Sequence, residues 1–179
     1  NFLQEYCELR DDGHCWNKLT NRRVVVCVPM HTFGFPAQMD QIKQICVRHK
    51  IYLVEDSAES LGSFYKDQHT GTIGRLSALS FNGNKIITTG GGGMIITNDK
   101  ELAERAKHIT TTAKVPHRWE FEHDEVGFNY RMPNLNAALG VAQMELLPDY
   151  LKIKRKLAER YQEWGSENGV EIMIEPPNS

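Results

Sequence analysis

The sequence lacks an excess of charge of either sign and lacks any long apolar run. Its 179 residues carry 21 Lys and Arg against 23 Asp and Glu, which gives a formal net charge of −2. Because no basic field is present to attract phosphate backbones or anionic lipids, neither a nucleic acid nor a membrane is expected as a partner. No segment has the length and apolar character of a bilayer span, and the first twenty residues carry no visible export signal. These absences predict a soluble, cytoplasmic protein.

The sequence is also poor in cysteine and in metal-ligand patterns. Its cysteines, Cys7, Cys15, Cys27 and Cys46, include no Cys-x-x-Cys pair. Free thiols are favoured, and a disulfide between Cys7 and Cys15 is the less favoured alternative. The seven histidines do not fall at metal-ligand spacing on one element, so no metal site is expected.

What the sequence does contain is an alternation of apolar runs with helical patterns. Residues 22–28 form a continuous β-branched run, which predicts a fully buried strand of a parallel sheet. A helix opened by Pro36 then extends to His49, and a second apolar strand follows at residues 51–54. This strand-helix-strand unit predicts two parallel strands and an α/β fold.

Two more strands and further helices are predicted along the chain. The strands fall at residues 76–81 and 93–97, and Asn98 with Glu101 forms a capping pair for the next helix. No period emerges between residues 110 and 133, and long loops in compact domains are usually functional. Helical stripes return at residues 135–142 and on a helix opened by Pro148. Residues 170–174 are predicted as a short strand, whereas residues 1–21 show no clear element.

Charged and polar residues follow the ends of two predicted strands. Asp56 follows the strand at 51–54, while Ser80 and Lys85 follow the strand at 76–81, just before four glycines at 90–93. In α/β sheets this edge is where ligands bind. Pyridoxal phosphate requires a lysine for its aldehyde, an acid at its pyridine nitrogen and donors for its phosphate. Lys85, Asp56 and Ser80 are candidates for these three roles.

Other interpretations of these residues remain open at this point. A lysine beside glycines is often a solvated surface group, and an aspartate after a strand is often a turn cap. A phosphate-binding P-loop is not supported, because its lysine must follow the last glycine and Lys85 precedes the glycines.

Several motifs in series resemble one known family. They are Val-Glu-Asp-Ser-Ala-Glu at 54–59, Ser-Phe-x-x-x-Lys at 80–85, the glycine run and Gly-Phe-Asn-Tyr-Arg-Met at 127–132. In this order they resemble the nucleotide-sugar aminotransferases of the DegT/DnrJ/EryC1/StrS family. The residues at 29–34, 81–85 and 110–117 are most similar to its legionaminic-acid and bacillosamine branch. The likeness extends from about residue 24 to residue 161.

The resemblance implies a type I pyridoxal-phosphate fold in a homodimer that shares its active site between subunits. It implies that Lys85 is the lysine that bonds to the cofactor and that Asp56 is the partner of its ring nitrogen. Ser80 is implied as a phosphate ligand, and Asn129 as a phosphate ligand reaching in from the other subunit. Glu59 takes a position near the cofactor's phenolic oxygen where many relatives have glutamine or histidine.

The resemblance also implies a division of the chain. Residues 1–21 are a remnant of the large domain, residues 22–147 are its cofactor-binding portion with the active-site loop, and residues 148–179 begin the small C-terminal domain. Relatives of this family are much longer, so the chain is expected to be the middle and later portion of such an enzyme.

The expected reaction is transamination of a nucleotide-diphosphate-linked 4-keto-6-deoxy-hexosamine, with L-glutamate as amino donor. The product is a 4-amino-4,6-dideoxy sugar for cell-surface glycans. His31, Lys114, His117 and Arg131 are the expected substrate contacts. The alternatives are a sugar dehydratase with the same cofactor, in which a histidine replaces the lysine, and a non-catalytic module that keeps only the fold.

Overall fold

The elements that position the candidate site lie within residues 2–176, the part of the chain that the computed structural model describes. They are α1 (Phe2–Tyr6), β1 (Cys7–Leu9), β2 (Cys15–Asn17), β3 (Arg22–Arg23), β4 (Val26–Cys27), a 3₁₀ turn (Thr32–Gly34), α2 (Met39–Arg48), β5 (Tyr52–Asp56), β6 (Phe64–Tyr65), β7 (Gln68–His69), β8 (Leu76–Ser80), β9 (Gly93–Ile96), α3 (Lys100–Thr110) and α4 (Asn134–Asn168). Among these residues no helix has the length and apolar character to cross a bilayer.

The central sheet has the strand order β4-β5-β8-β9. β4 is parallel to β5 and β5 is parallel to β8, whereas β9 is antiparallel to β8. The predicted parallel strands and the α/β class are therefore confirmed. Parallel strands end at the same edge of a sheet, so β5 and β8 bring Asp56 and Ser80 to one edge.

The strand predicted at residues 22–28 is wrong as a single buried element. It divides into β3, which pairs with β2, and β4, which pairs with β5. The change of sheet occurs between two valines: the N–H of Val24 donates to Cys15 O, and Val25 O accepts from the N–H of Tyr52. β4 is also an edge strand, which leaves Val28 just beyond it 55% exposed.

The first residues fold into a small antiparallel sheet that the sequence pattern did not predict. β1, β2 and β3 pair in that order, and the β1–β2 turn is closed by Asp12, whose carboxylate accepts from the N–H of His14 and from Trp16 Nε1. These strands have two or three residues each, too few for an alternating pattern to stand out.

The core between this small sheet, α2 and β5 contains the cysteines. Cys7, Cys15 and Cys46 are buried in it and Cys27 packs against it. All four are free thiols, as predicted. Burial raises the pKa of the Cys46 thiol to about 11, and the neighbouring Cys27 thiol adds to that rise. These cysteines therefore behave as small apolar groups.

Two helix starts differ from prediction by a few residues. α2 begins at Met39, not at Pro36, because the N–H of Ala37 donates to Nδ1 of His31 and is held outside the helix. The N-cap of α3 is Asp99, not Asn98, because the Asp99 carboxylate accepts from the N–H of Leu102. An N-cap side chain accepts from the backbone N–H two or three residues after it, and Asp99 stands three residues before Leu102.

The two C-terminal helices predicted from the sequence are one continuous helix, α4, with Pro148 inside it. A proline inside a helix removes one backbone hydrogen bond, but packing holds the helix together on both sides of it. Leu147 is buried against Phe81 and Ile87, and Leu151 packs against the same cluster. The predicted boundary at 147/148 thus falls within α4, and the domain division stays a prediction.

The strand predicted at residues 170–174 is wrong, because these residues have no regular secondary structure. Gly169 ends α4 in the left-handed conformation, with a φ of 68°, and the N–H of Val170 donates to Gly165 O. Residues 111–133 contain no helix or strand beyond two isolated bridges, which agrees with the predicted long loop.

A buried carboxylate, Glu55, joins three segments of the fold. Its Oε1 accepts from the N–H groups of Ile73 (2.7 Å) and Gly74 (2.5 Å), and its Oε2 accepts from the N–H of Gly71 (2.8 Å). Nε2 of His31 lies 3.1 Å from the same Oε2. Since Nδ1 of His31 accepts from Ala37, the neutral ring carries its proton on Nε2 and donates it to Glu55.

Burial alone would raise the pKa of the Glu55 carboxyl, but the hydrogen bonds from His31 and from the three N–H groups outweigh it and lower that pKa. A carboxyl whose pKa is lowered by folding adds stability above its unfolded value of about 4.3 and loses it as the pH falls through the lower folded value. Glu55 therefore contributes to acid sensitivity.

We expect Glu55→Gln to lower the free energy of unfolding by roughly 3 kcal/mol, because either amide orientation sets an NH₂ against at least one backbone N–H donor. Urea unfolding followed by circular dichroism measures this. The variant should also lose part of the stability that the wild type gains as the pH rises from below the folded pKa of Glu55 to above its unfolded value of about 4.3. Glu101→Gln, on the exposed face of α3, is the matched control and should unfold like the wild type.

Candidate active site

Lys85 lies in the connection between β8 and β9, on a turn fixed at both ends. Phe81 before it and Ile87 after it are buried in one apolar cluster, and the N–H of Lys85 donates to Asn82 O (3.1 Å). The lysine side chain is only 17% exposed. That burial argues against the alternative of a freely solvated surface lysine.

The side-chain partner of Lys85 is Glu59. Oε1 of Glu59 lies 3.4 Å from Nζ of Lys85, and its Oε2 accepts from the N–H of Phe33 (2.8 Å). The Phe33 N–H, followed by the Lys85 ammonium, lowers the pKa of the Glu59 carboxyl. Glu59 is therefore ionised at neutral pH and connects the lysine to the 3₁₀ turn, where Phe33 has a φ of 57°.

Asp56 and Ser80 end the two neighbouring strands at the same edge. The Asp56 carboxylate is half-buried and accepts from the N–H of Ala58 (3.1 Å). Oγ of Ser80 accepts from the N–H of Asn82 (3.3 Å). The amine of Lys85 pairs with Glu59, not with Asp56, so the facing arrangement of Lys85 and Asp56 stays a prediction.

Lys85, Glu59 and Ser80 line an open cavity of about 700 Å³. Its opposite wall is formed by the C-terminal half of α4 and by the segment after that helix, including Leu151, Arg155, Met173 and Glu175. Ligand sites of small molecules usually have volumes of this order and combine apolar walls with a few polar groups. The Lys85 amine and the Ser80 hydroxyl at this cavity match two of the groups that pyridoxal phosphate requires, an amine for its aldehyde and a donor for its phosphate. Asp56, the acid expected at the ring nitrogen, is not among the residues that line the cavity, so that role stays a prediction.

The wall formed by α4 was not predicted from the sequence. Arg155 lines the cavity and makes a two-pronged ion pair with Glu175, whose Oε1 lies 2.8 Å from Nη2. The Arg155 guanidinium lowers the pKa of the Glu175 carboxyl. The basic run at 152–156 was a signal for this wall, but only the fold brings it to the lysine.

Asn129 and Arg131 do not line this cavity. Asn129 pairs with Thr111 in an isolated antiparallel bridge. Arg131 donates to Thr111 O (3.2 Å) and lines a second cavity of about 910 Å³ between β9, α3 and the end of the loop. A role for Asn129 in another subunit's site, and one for Arg131 in substrate binding, stay predictions.

Lys114 and His117 lie elsewhere in the same loop, also away from the cavity. The ammonium of Lys114 lies 3.8 Å from the ring centroid of Phe121. Nδ1 of His117 accepts from the N–H of Glu120 (2.9 Å). Both are therefore engaged within the loop, and their contacts to substrate stay predictions.

His31 does not have the surface that a substrate contact requires. Its side chain is 0% exposed, and both ring nitrogens are engaged, one with Ala37 and one with Glu55. The structure thus gives His31 a different place from the one expected, because its ring joins Glu55 inside the fold.

The chain matches the model of the DegT/DnrJ/EryC1/StrS aminotransferase family over residues 13–178. It belongs to this family. It is 43% identical over 146 residues to GDP-perosamine synthase of Escherichia coli O157:H7, covering 81% of this chain and 39% of that protein. It is 40% identical to the putative pyridoxal phosphate-dependent aminotransferase EpsN of Bacillus subtilis (strain 168), covering 83% of this chain and 38% of EpsN.

Solved structures agree with this family. PseC of Helicobacter pylori, an aminotransferase involved in the biosynthesis of pseudaminic acid, superposes with a TM-score of 0.78 at 29% identity, covering 83% of this chain and 40% of that one. The type I fold implied by the resemblance is thus confirmed, and the cofactor of this family is pyridoxal phosphate. The chain spans about two fifths of the length of the curated relatives that it matches.

The pair of Glu59 and Lys85 gives a direct test of the site. Glu59→Gln removes the charge that holds the ammonium, so acylation of Lys85 by acetic anhydride should be about two- to fivefold faster, the range expected for a partly exposed ion pair. Peptide mass spectrometry measures the rate. Lys156, exposed on α4, is the internal reference and should react at one rate in both proteins. An unchanged Lys85 rate would show that Glu59 does not hold it.

Proposed function

We propose that the protein containing this chain is a pyridoxal-phosphate-dependent aminotransferase that transfers an amino group to a nucleotide-linked keto sugar. The observation that carries this proposal is the Lys85 amine, held by Glu59 in an open cavity at the carboxyl edge of β5 and β8. The family and its relatives support the same reaction class.

Four residues of the chain would hold the cofactor. Lys85 would bond to its aldehyde carbon, Asp56 would keep a proton on its ring nitrogen, and Ser80 would donate to its phosphate. Glu59, beside Lys85, would lie near the cofactor's phenolic oxygen. When bound, pyridoxal phosphate supplies an electron-poor ring that stabilises negative charge at the donor's α-carbon.

The proton transfers are assigned to Lys85. With the cofactor bound, the Lys85 amine would act as the general base that removes the proton from the α-carbon of the amino donor. Its conjugate acid would then serve as the general acid, and in the half-reaction with the sugar the same side chain would move a proton in the opposite direction. The shared turn of Phe81 and Ile87 keeps the amine near one position through both halves.

The proposed sugar substrate is a 4-keto-6-deoxy-hexosamine linked to a nucleoside diphosphate, with L-glutamate as the donor and a 4-amino-4,6-dideoxy sugar as the product. The names of the relatives, a GDP-perosamine synthase and a pseudaminic-acid enzyme, support amino-sugar chemistry but differ in their sugars. The legionaminic-acid or bacillosamine branch is proposed from the motifs at 29–34 and 110–117. Lys114, His117 and Arg131 are proposed to contact the diphosphate.

We propose a homodimer in which Asn129 reaches the partner's cofactor phosphate. Support comes from the apolar surface of the loop and the start of α4, where Trp119, Phe121, Val126 and Leu135 are each more than 70% exposed. Large apolar patches of this kind usually mark interfaces. The loop that carries Asn129 belongs to this surface.

The dehydratase alternative is disfavoured because position 85 is the lysine that a transaminase needs, and not the histidine expected in a dehydratase. The non-catalytic alternative predicts that no covalent cofactor is held. The deciding test is borohydride reduction of the full-length protein mixed with pyridoxal phosphate. We expect the added mass on the peptide containing Lys85, and none on that peptide in Lys85→Arg. A protein that stays colourless and unlabelled would refute the proposed function.

Asp56→Asn tests the ring-nitrogen assignment. An amide does not stabilise a proton on the ring nitrogen, so kcat should fall by about 10²- to 10⁴-fold, a loss comparable to that of a general acid or base. Borohydride labelling of Lys85 should persist, which separates a lost electron sink from a lost cofactor. Steady-state kinetics with L-glutamate and the proposed keto-sugar acceptor measures kcat. A kcat within about twofold of the wild type would contradict the assignment.

A further inference from the structure

The chain that follows Lys85 is fastened to the N-terminal half of α4. The N–H of Thr88 donates to Oε1 of Gln143 (2.8 Å), and Nδ2 of Asn136 donates to Thr89 O. Thr89 is almost completely buried. Two side-chain amides on the helix thus satisfy a backbone donor and a backbone acceptor that lie three and four residues after the lysine.

The helix presents these two amides on one face, with a glycine between them. Residues 136, 140 and 143 are separated by four and three positions, the spacing that places helical residues side by side. A Cβ at Gly140 would approach Cγ2 of Thr89 to 2.8 Å. A side chain at residue 140 would therefore force Thr89 or the helix to shift, so glycine favours the close approach that both hydrogen bonds need.

Hydrogen bonds within the loop itself also hold the turn that carries Lys85. Before Lys85, Phe81 O accepts from Thr89 N–H and from the Thr88 hydroxyl, which closes the loop on itself. Gly90 N–H donates to that same Thr88 hydroxyl (2.9 Å). The loop is thus a closed unit, and Gln143 and Asn136 fix this unit on the helix.

We propose that Gln143 and Asn136 are positioning residues that set the location of the Lys85 amine through Thr88 and Thr89. The proposal has two parts. The first, that the two amides hold the loop at residues 85–89 in place, does not depend on the proposed function. The second, that this placement speeds the reaction of Lys85 with the cofactor, rests on the proposed function. Because the C-terminal half of the same helix lines the Lys85 cavity, α4 fixes both the lysine and the wall that faces it.

The two amides have opposite hydrogen-bonding roles, and this polarity makes the proposal specific. Gln143 acts as an acceptor, so Gln143→Glu keeps the bond and Gln143→Met removes it. Asn136 acts as a donor, so Asn136→Asp sets a carboxylate against Thr89 O and removes the bond. Glu145→Met is the matched control, because Glu145 is exposed on the same helix.

Hydrogen exchange followed by mass spectrometry tests the first part in the full-length protein without cofactor. In Gln143→Met and Asn136→Asp, amides at residues 85–89 should exchange about tenfold faster than in the wild type, as expected for one lost hydrogen bond. Gln143→Glu and Glu145→Met should stay within about twofold of the wild type. Equal acceleration in Gln143→Glu and Gln143→Met, or acceleration over the whole chain, would overturn the proposal.

A second measurement tests the effect on the amine. The rate at which borohydride-trapped cofactor accumulates on Lys85 should fall about tenfold in Gln143→Met and recover in Gln143→Glu. An unchanged rate in Gln143→Met, with labelling intact, would overturn the positioning role. Absence of labelling in the wild type would instead refute the proposed function, and the exchange result would still decide whether α4 fixes the loop.

Discussion

The hydrogen bonds of the buried Glu55 carboxylate are the constraint on which the sheet edge depends. Four donors from two segments meet this one side chain, so the turn at 31–37 and the loop at 71–74 are both fixed relative to β5. A carboxylate with fewer donors would be too costly to bury. The satisfied network instead makes the end of β5 rigid, and the next residue along is Asp56, the proposed partner of the cofactor.

The alternation of a strand explains why neighbouring acids at 55–59 have such different roles. Successive side chains of β5 point to opposite faces, so Glu55 shares the buried face of Leu53 while Asp56 lies on the other. Glu59, beyond the strand, reaches Lys85 and Phe33. Since Phe33 follows the buried His31 by two residues, the buried network and the lysine pair meet at one turn.

Sequence patterns predicted the parallel strands, the long loop and the strand-end residues, because each depends on local apolar runs and on their order. They failed where tertiary contacts decide. Pro148 signals a helix start, yet packing of Leu147 and Leu151 carries α4 through it. His31 was expected to contact the substrate, but only the fold reveals that its ring is buried against Glu55. Arg155 lines the same cavity as Lys85 although the two are seventy residues apart in the sequence, and no local pattern predicts such a long-range contact.

Helix α4 is long enough to contact both the loop that follows Lys85 and the cavity that contains the lysine. A helix rises about 1.5 Å per residue, so Asn136 and Arg155 lie roughly 28 Å apart along one rigid element. One end fastens the loop after Lys85, and the other forms the facing wall of the cavity. A shift of this helix would therefore move the lysine and the wall together, so the width of the cavity is protected against small displacements. Pro148, between the two regions, is the point at which that coupling is weakest, because one backbone hydrogen bond is missing there.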